Sequence, residues 1–269
     1  MTRVLSATLL IAVVVSVLLW TPPWATAALA AVVAALGAAE LADLTAKAGA
    51  ALPKVFVAIA ASTLTLAFVL HERRVPGADE DSLGAVLLAL LVVAGTVTLA
   101  LGPPDRSTLT RASAMVMAPI YVGLPLGAIV WVRWVCGAGA TLWLLGTIVV
   151  SDSAQYYTGR AFGRRKLAPA VSPAKTVEGA IGGLAAAAVS GFFLGPRVLP
   201  ELSPTVAAAI AVVLALFGIA GDLFESLLKR GVGAKDSSSL IPGHGGVLDR
   251  IDAQLFAAPV FFLFLRYIV

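Results

Sequence analysis

Apolar runs near 20 residues long recur from one end of this chain to the other, and a helix of that length spans the hydrocarbon of a bilayer. Hydrophobic residues are 59% and charged residues 13% of the 269 positions, against about half and about a quarter in soluble domains. Mean hydropathy is +0.97. A bilayer is therefore the solvent for most of the chain. The runs do not alternate in polarity, as the strands of a membrane barrel would. The expected fold is an all-α integral membrane protein, a polytopic bundle of about nine transmembrane helices. We place the spans at 4–20, 24–42, 54–70, 83–101, 115–132, 136–152, 178–195, 205–222 and 253–269. The run from Val4 to Trp20, between Arg3 and Ala25-Thr26-Ala27, also has the outline of a signal peptide. Its length and the spans that follow favour a first transmembrane helix.

With the N-terminus in the cytoplasm, fourteen of the nineteen Lys and Arg residues fall on the cytoplasmic side. That bias predicts an N-in, C-out topology. The segment 71–82 (HERRVPGADEDS) sets two Arg against four acids and suits the outer side. The chain is expected to divide into a scaffold at 1–135 and a catalytic region at 136–269. The long polar segments 153–177 and 226–252 then share the cytoplasmic face of the plasma membrane. A pI near 9.5 reflects this bias and anionic lipid headgroups rather than nucleic acid. The single Cys136 allows no internal disulfide.

The densest polar block runs from Ser226 to Asp252, SLLKRGVGAKDSSSLIPGHGGVLDRID. A charged block between membrane spans is costly, so it reads as a functional site. Read as a helix continuing from span eight, Asp222, Glu225, Ser226 and Lys229 share one face by their i, i+3, i+4, i+7 spacing. Leu223, Phe224, Leu227 and Leu228 share the other. From Asp222 to Asp252 there are five acids and four bases. A pocket for a polyphosphate carries surplus acid only where a cation sits, and Mg²⁺ uses one or two carboxylates plus substrate phosphates. Asp222 and Asp249 are the best metal pair, with room for a second cation. Asp249 could also be the N-cap of span nine, with Asp252 in its first turn. Lys229, Arg230, Lys235 and Arg250 would neutralise phosphate oxygens. Pro242-Gly243-His244-Gly245-Gly246 allows close backbone approach and could cradle an anion with its N–H groups, or could simply be a turn. His244 reads better as a hydrogen-bond donor than as a proton carrier, because a phosphate nucleophile is already ionised.

In the other polar segment, Asp152 and Glu178 bracket five bases. Arg164-Arg165-Lys166 reads as a topogenic or headgroup patch. Lys175 and Glu178, three apart on the opening turn of span seven, could be a surface ion pair. Tyr156 and Tyr157 could form an interfacial belt.

At these residues the chain resembles the phosphatidate cytidylyltransferase (CDP-diacylglycerol synthase) family. That family's signature runs S-x-x-K-R-x4-K-D, a short spacer, then H-G-G-x-x-D-R-x-D. Ser226, Lys229, Arg230, Lys235, Asp236, His244, Gly245, Gly246, Asp249, Arg250 and Asp252 meet every fixed position. The family's upstream S-D-x-x-A-Y is opened by Ser151-Asp152, with Gln155 at the position of its Ala. Its S-P-K-K-T-x-E-G is met by Ser172, Pro173, Lys175, Thr176, Glu178 and Gly179, with Ala174 in place of the first Lys. The resemblance covers 151–252 well, and the first five spans match in hydropathy only.

The resemblance implies a reaction in which CTP and phosphatidic acid give CDP-diacylglycerol and pyrophosphate. Mg²⁺ at Asp222 and Asp249 would bridge triphosphate oxygens, while Lys175, Lys229, Arg230 and Arg250 hold the lipid phosphate and the leaving group. Ser226, Lys235, His244, Gly245, Gly246, Asp152 and Glu178 are the expected substrate-side residues. The expected partners are CTP, phosphatidic acid in the bilayer and a second copy of the chain. Two rivals share the residue types. A CTP-dependent polyprenol kinase would transfer the γ-phosphoryl instead. A lipid transporter would show paired inverted halves, whereas polar density here lies at one end.

Overall fold

The computed structural model describes residues 2–72, 82–243 and 245–268. The outer segment expected at 71–82 therefore lies largely outside the described residues, as does His244. The elements in chain order are α1 (Thr2–Trp20), α2 (Pro23–Lys47), α3 (Lys54–Glu72), α4 (Ser82–Ala100), α5 (Thr108–Val135) and α6 (Gly137–Phe162). A hairpin of β1 (Lys166–Ala168) and β2 (Ser172–Thr176) follows, then α7 (Val177–Val198), α8 (Pro204–Gly231) and α9 (Leu248–Tyr267).

Six of these helices, α2 to α5 with α7 and α8, are long and apolar enough to cross a membrane. This is an all-α membrane protein apart from the hairpin, and the hairpin corrects the expectation that every element is helical. The two strands pair antiparallel, Lys166 opposite Thr176 and Ala168 opposite Ser172. Pro173 has no N–H to give a helix, so the chain stays extended until Thr176. The expected loop boundaries shift accordingly. Nothing breaks the helix between Ser153 and Phe162, so α6 continues through the first ten residues of the segment 153–177. In the second segment, α8 extends to Gly231 and α9 starts at Leu248. Gly137, at φ 84, makes the break between α5 and α6 in a backbone conformation that favours glycine.

The chain forms two compact units, Met1–Trp131 with Gly231–Arg250, and Val132–Arg230 with Ile251–Val269.

In the first unit α3 packs on α2 and α4. Ala42, Leu52, Val57, Ala94 and Met115 form a buried cluster there. Intramembrane hydroxyls find backbone partners: Ser62 Oγ donates to Ala31 O at 2.8 Å, and Thr65 Oγ1 lies 3.0 Å from both Ala61 O and Gly123 O. In the second unit the chief contact is α6 against α7. The α7 seam, Gly179, Gly183, Ala187, Gly191 and Gly195, is buried at every fourth position. Small residues let helix backbones approach in lipid, where no hydrophobic force drives them together. A Cβ on Gly183 would collide with Gln155 and Ser151 of α6, one on Gly191 with Ala207 and Ala211 of α8, and one on Gly195 with Ala207.

Thr176 caps α7, its Oγ1 accepting from Gly179 N at 3.1 Å. Loss of such a cap costs about 1 kcal/mol. Thr176→Ala is therefore expected to lower the thermal midpoint in detergent by a few degrees, read by intrinsic fluorescence. An unchanged midpoint would remove the cap from the account.

Candidate active site

The polar face expected on α8 is present. Glu225 is fully buried and Lys229 is 8% exposed, whereas Leu227 on the opposite face is 52% exposed. The helix is inside-out relative to a soluble one, as suits a cavity-facing polar stripe at a membrane boundary. Lys229 Nζ lies 3.2 Å from Glu225 Oε2. Ser226 Oγ donates to Asp222 Oδ1 at 3.3 Å.

Asp222 is the centre of the second unit's cluster. Its Oδ2 pairs with Lys175 Nζ at 2.6 Å, joining the segment that carries Lys175 to the α8 turn just before Ser226. Asp222 also acts electrostatically on Asp152 and Asp252, and Lys175 acts on Asp152. Gln155, where the family has Ala, donates from Nε2 to Asp152 Oδ1 at 3.0 Å and to Ser151 Oγ at 3.2 Å. This departure from the pattern thus orients one of the acids. Arg230 is exposed and donates through Nε to Val171 O at 3.4 Å, tying the end of α8 to the hairpin.

Lys175 is not on the opening turn of α7. It lies in β2, one residue before the cap, and its ionic partner is Asp222 rather than Glu178. Glu178 instead accepts the backbone N–H groups of Arg164 at 2.9 Å and Arg165 at 3.1 Å, closing the turn between α6 and β1. Arg164, Arg165 and Lys166 are exposed, as a headgroup patch would be.

The first unit holds the signature residues from Lys235 to Arg250. Asp249 is buried, at the second position of α9 rather than at its N-cap. Its Oδ2 accepts from Ser237 N at 2.9 Å, Ser237 Oγ at 2.8 Å and Gly246 N at 2.8 Å. The Gly-rich turn was expected to offer its N–H groups to an anion, and the one anion bonded there, to Gly246 N–H, is the protein's own Asp249. Glu40 of α2 completes the arrangement. One or other of its carboxylate oxygens accepts from Ser237 Oγ at 2.9 Å, Ser238 Oγ at 2.7 Å, Val247 N at 2.9 Å and Leu248 N at 2.8 Å. Gly245 sits at φ 80, and a Cβ there would lie 2.6 Å from Asp249 Oδ2. A Cβ on Gly246 would overlap Ser237 Oγ and Glu40 Oε2.

Lys235, Asp236 and Arg250 are exposed. Asp236 and Ser237–Ser239 face Asp43, Ala46 and Lys47 of α2 across a cavity of about 710 Å³. Glu40, Ser237 and Ser238 were not among the expected site residues. An ionisable residue in an otherwise apolar span was the one available signal for Glu40.

A hard divalent cation suits the donor chemistry of the second unit, where Asp152, Asp222, Glu225 and Asp252 face the cations Lys175 and Lys229. Carboxylate oxygens in excess of nearby cations are the donors Mg²⁺ takes. Among the described residues no three His, Cys, Asp or Glu converge tightly enough to hold an ion by themselves.

Helices that span a membrane, with charge concentrated at the ends of α6, α8 and α9, define a polytopic membrane protein carrying a polar acid–base site. The chain belongs to the cytidylyltransferase family, whose model matches residues 1–268. It is similar to the phosphatidate cytidylyltransferase of Bacillus subtilis, 33% identical over 70% of each chain. It is also similar to that of Haemophilus influenzae, 45% identical over 48% of this chain and 46% of the relative. The uncharacterized protein YnbB of Escherichia coli is 45% identical over 49% of this chain and 44% of its own length. The chain thus spans about half the length of the curated relatives it matches most strongly.

Proposed function

We propose that this chain is a membrane-embedded nucleotidyltransferase that makes CDP-diacylglycerol and pyrophosphate from CTP and phosphatidic acid. The observation that carries the reading is the Lys175–Asp222 pair, which joins one matched signature segment to the α8 turn that leads into the other, where Ser226 also bonds Asp222. Family membership and the names borne by the B. subtilis and H. influenzae relatives support the same chemistry.

A phosphate oxygen of phosphatidic acid attacks the α-phosphorus of CTP, and the bond from that phosphorus to the bridging oxygen of the β-phosphate breaks. Pyrophosphate leaves with the electron pair. Such a transfer depends on alignment and charge neutralisation more than on covalent catalysis. Lys175 is held at the site by Asp222 and faces the reacting phosphates. Lys229, fixed by Glu225, adds a second cation. Arg230 and Arg250, both exposed, reach the lipid phosphate and the leaving group. Asp222 would contribute carboxylate oxygen to Mg²⁺, which would neutralise triphosphate oxygens. Ser226, Lys235, Gly245 and Gly246, with His244 from the resemblance alone, are the proposed substrate-binding residues, and Asp152 and Glu178 keep the cations and the hairpin in place. The lipid tails stay in the bilayer throughout.

The same reading places nine spans across the plasma membrane, N-in and C-out, with the site at the cytoplasmic face. Detergent-solubilised protein incubated with phosphatidic acid and α-labelled CTP is expected to put label into the organic-extractable lipid and to release pyrophosphate. Label entering lipid from γ-labelled CTP alone would identify a lipid kinase and overturn the proposal.

A further inference from the structure

We infer that Glu40, on α2 of the presumed scaffold, is a positioning residue that seats the Asp249–Arg250 start of α9. The inference rests on the role proposed above for Arg250. Glu40 is 5% exposed in an Ala-rich helix, where an ionised carboxylate is expensive unless donors surround it. Four surround it, and two of them are the Val247 and Leu248 N–H groups. Those amides are among the orphan donors that every helix start must satisfy. Glu40 therefore caps α9 from another helix, and its charge suits the positive end of the helix dipole.

The coupling to Asp249 is direct. Ser237 Oγ lies 2.9 Å from Glu40 Oε2 and 2.8 Å from Asp249 Oδ2, so one hydroxyl is shared between the two carboxylates. Gly246 threads between them with no room for a side chain. Shifting Glu40 moves Ser237, the turn and the first residues of α9 as one body. Nothing in this arrangement needs Glu40 to touch substrate.

The test compares wild type, Glu40→Gln, Ser237→Ala and the double variant, each purified whole in detergent. Two readouts are taken, CDP-diacylglycerol formation and hydrogen exchange of the stretch 237–250. Glu40→Gln is expected to lower kcat about 100-fold, as misplacement of reacting groups by about 1 Å does. Exchange should rise at least about tenfold in 237–250 and stay unchanged in peptides of α3 and α5, because opening is local. Because both residues act through one hydroxyl, the double variant should fall within about threefold of Glu40→Gln alone. Wild-type turnover in Glu40→Gln overturns the inference. So does exchange that rises throughout the protein, or losses that multiply in the double variant. Should Glu40→Gln not purify folded, Ser237→Ala carries the same local exchange prediction, and unchanged exchange there also overturns it. A wild type that makes no CDP-diacylglycerol would sink the proposed activity, and the exchange readout would still decide whether Glu40 anchors α9.

Discussion

Asp222→Asn is expected to reduce CDP-diacylglycerol formation by about 100- to 1000-fold, the range seen when one preorganised electrostatic group is lost from an active site. The substitution is nearly isosteric, so the helix face on α8 should survive. What changes is charge. Lys175 Nζ loses its ionic partner at 2.6 Å, and the like-charge repulsion that Asp222 exerts on Asp152 and Asp252 disappears. Lys175 and Asp222 are partly exposed, with side chains 20% and 28% accessible. Solvent therefore screens the unpaired lysine, and the stability cost should be small beside the catalytic one. Lys175→Ala should be similarly impaired. The double variant should be no worse than the poorer single one, since the two residues act as a unit. Steady-state pyrophosphate release with a melting curve checks both points. Activity within threefold of wild type for Asp222→Asn would take the pair out of the site.

Gly246→Ala is expected to have the second large effect, and by a different route. The added methyl would enter the space held by Ser237 Oγ and Glu40 Oε2. Overpacking costs about 1–3 kcal/mol where the surroundings can yield. Here they can yield only by breaking buried hydrogen bonds to carboxylates, at about 1–3 kcal/mol for each group left unsatisfied. Activity should fall at least about 100-fold as α9 loses its seat, and the thermal midpoint should drop by several degrees. Gly245→Ala should also be harmful, because φ 80 is a left-handed conformation and the new Cβ would crowd Asp249. Turnover and melting temperature measured together decide the matter. A Gly246→Ala protein with both at wild-type values would refute the close packing.

The α8 stripe could be read from sequence because its spacing is intrahelical, and helical periodicity transmits without tertiary information. Asp222, Glu225, Ser226 and Lys229 stand where that periodicity puts them. The extension of α6 to Phe162 is hidden because polar residues look like the end of a span, although a helix can outlast the bilayer. The hairpin at 166–176 was hidden for the converse reason, being too short to show alternation. The anion held by the Gly-rich turn could not be identified from the turn itself. Any carboxylate or phosphate satisfies an N–H group; Gly246 N–H is taken by Asp249 of α9, and Glu40 of α2 takes the two amides that follow. Lys175 shows the same limit. Its sequence neighbour Glu178 was the natural partner, but the strand–helix junction at Thr176 turns Glu178 to the Arg164 and Arg165 amides and leaves Lys175 to Asp222.

The glycine seam of α7 has a consequence for how such a protein can vary. Where two helices meet backbone to backbone, their spacing is set by hydrogen atoms, not by the bulk of any residue. Asp152 is carried on the helix that rests against this seam. The oily outer surface is then free to be rewritten for a thicker, thinner or differently saturated host bilayer while the acid stays at its post.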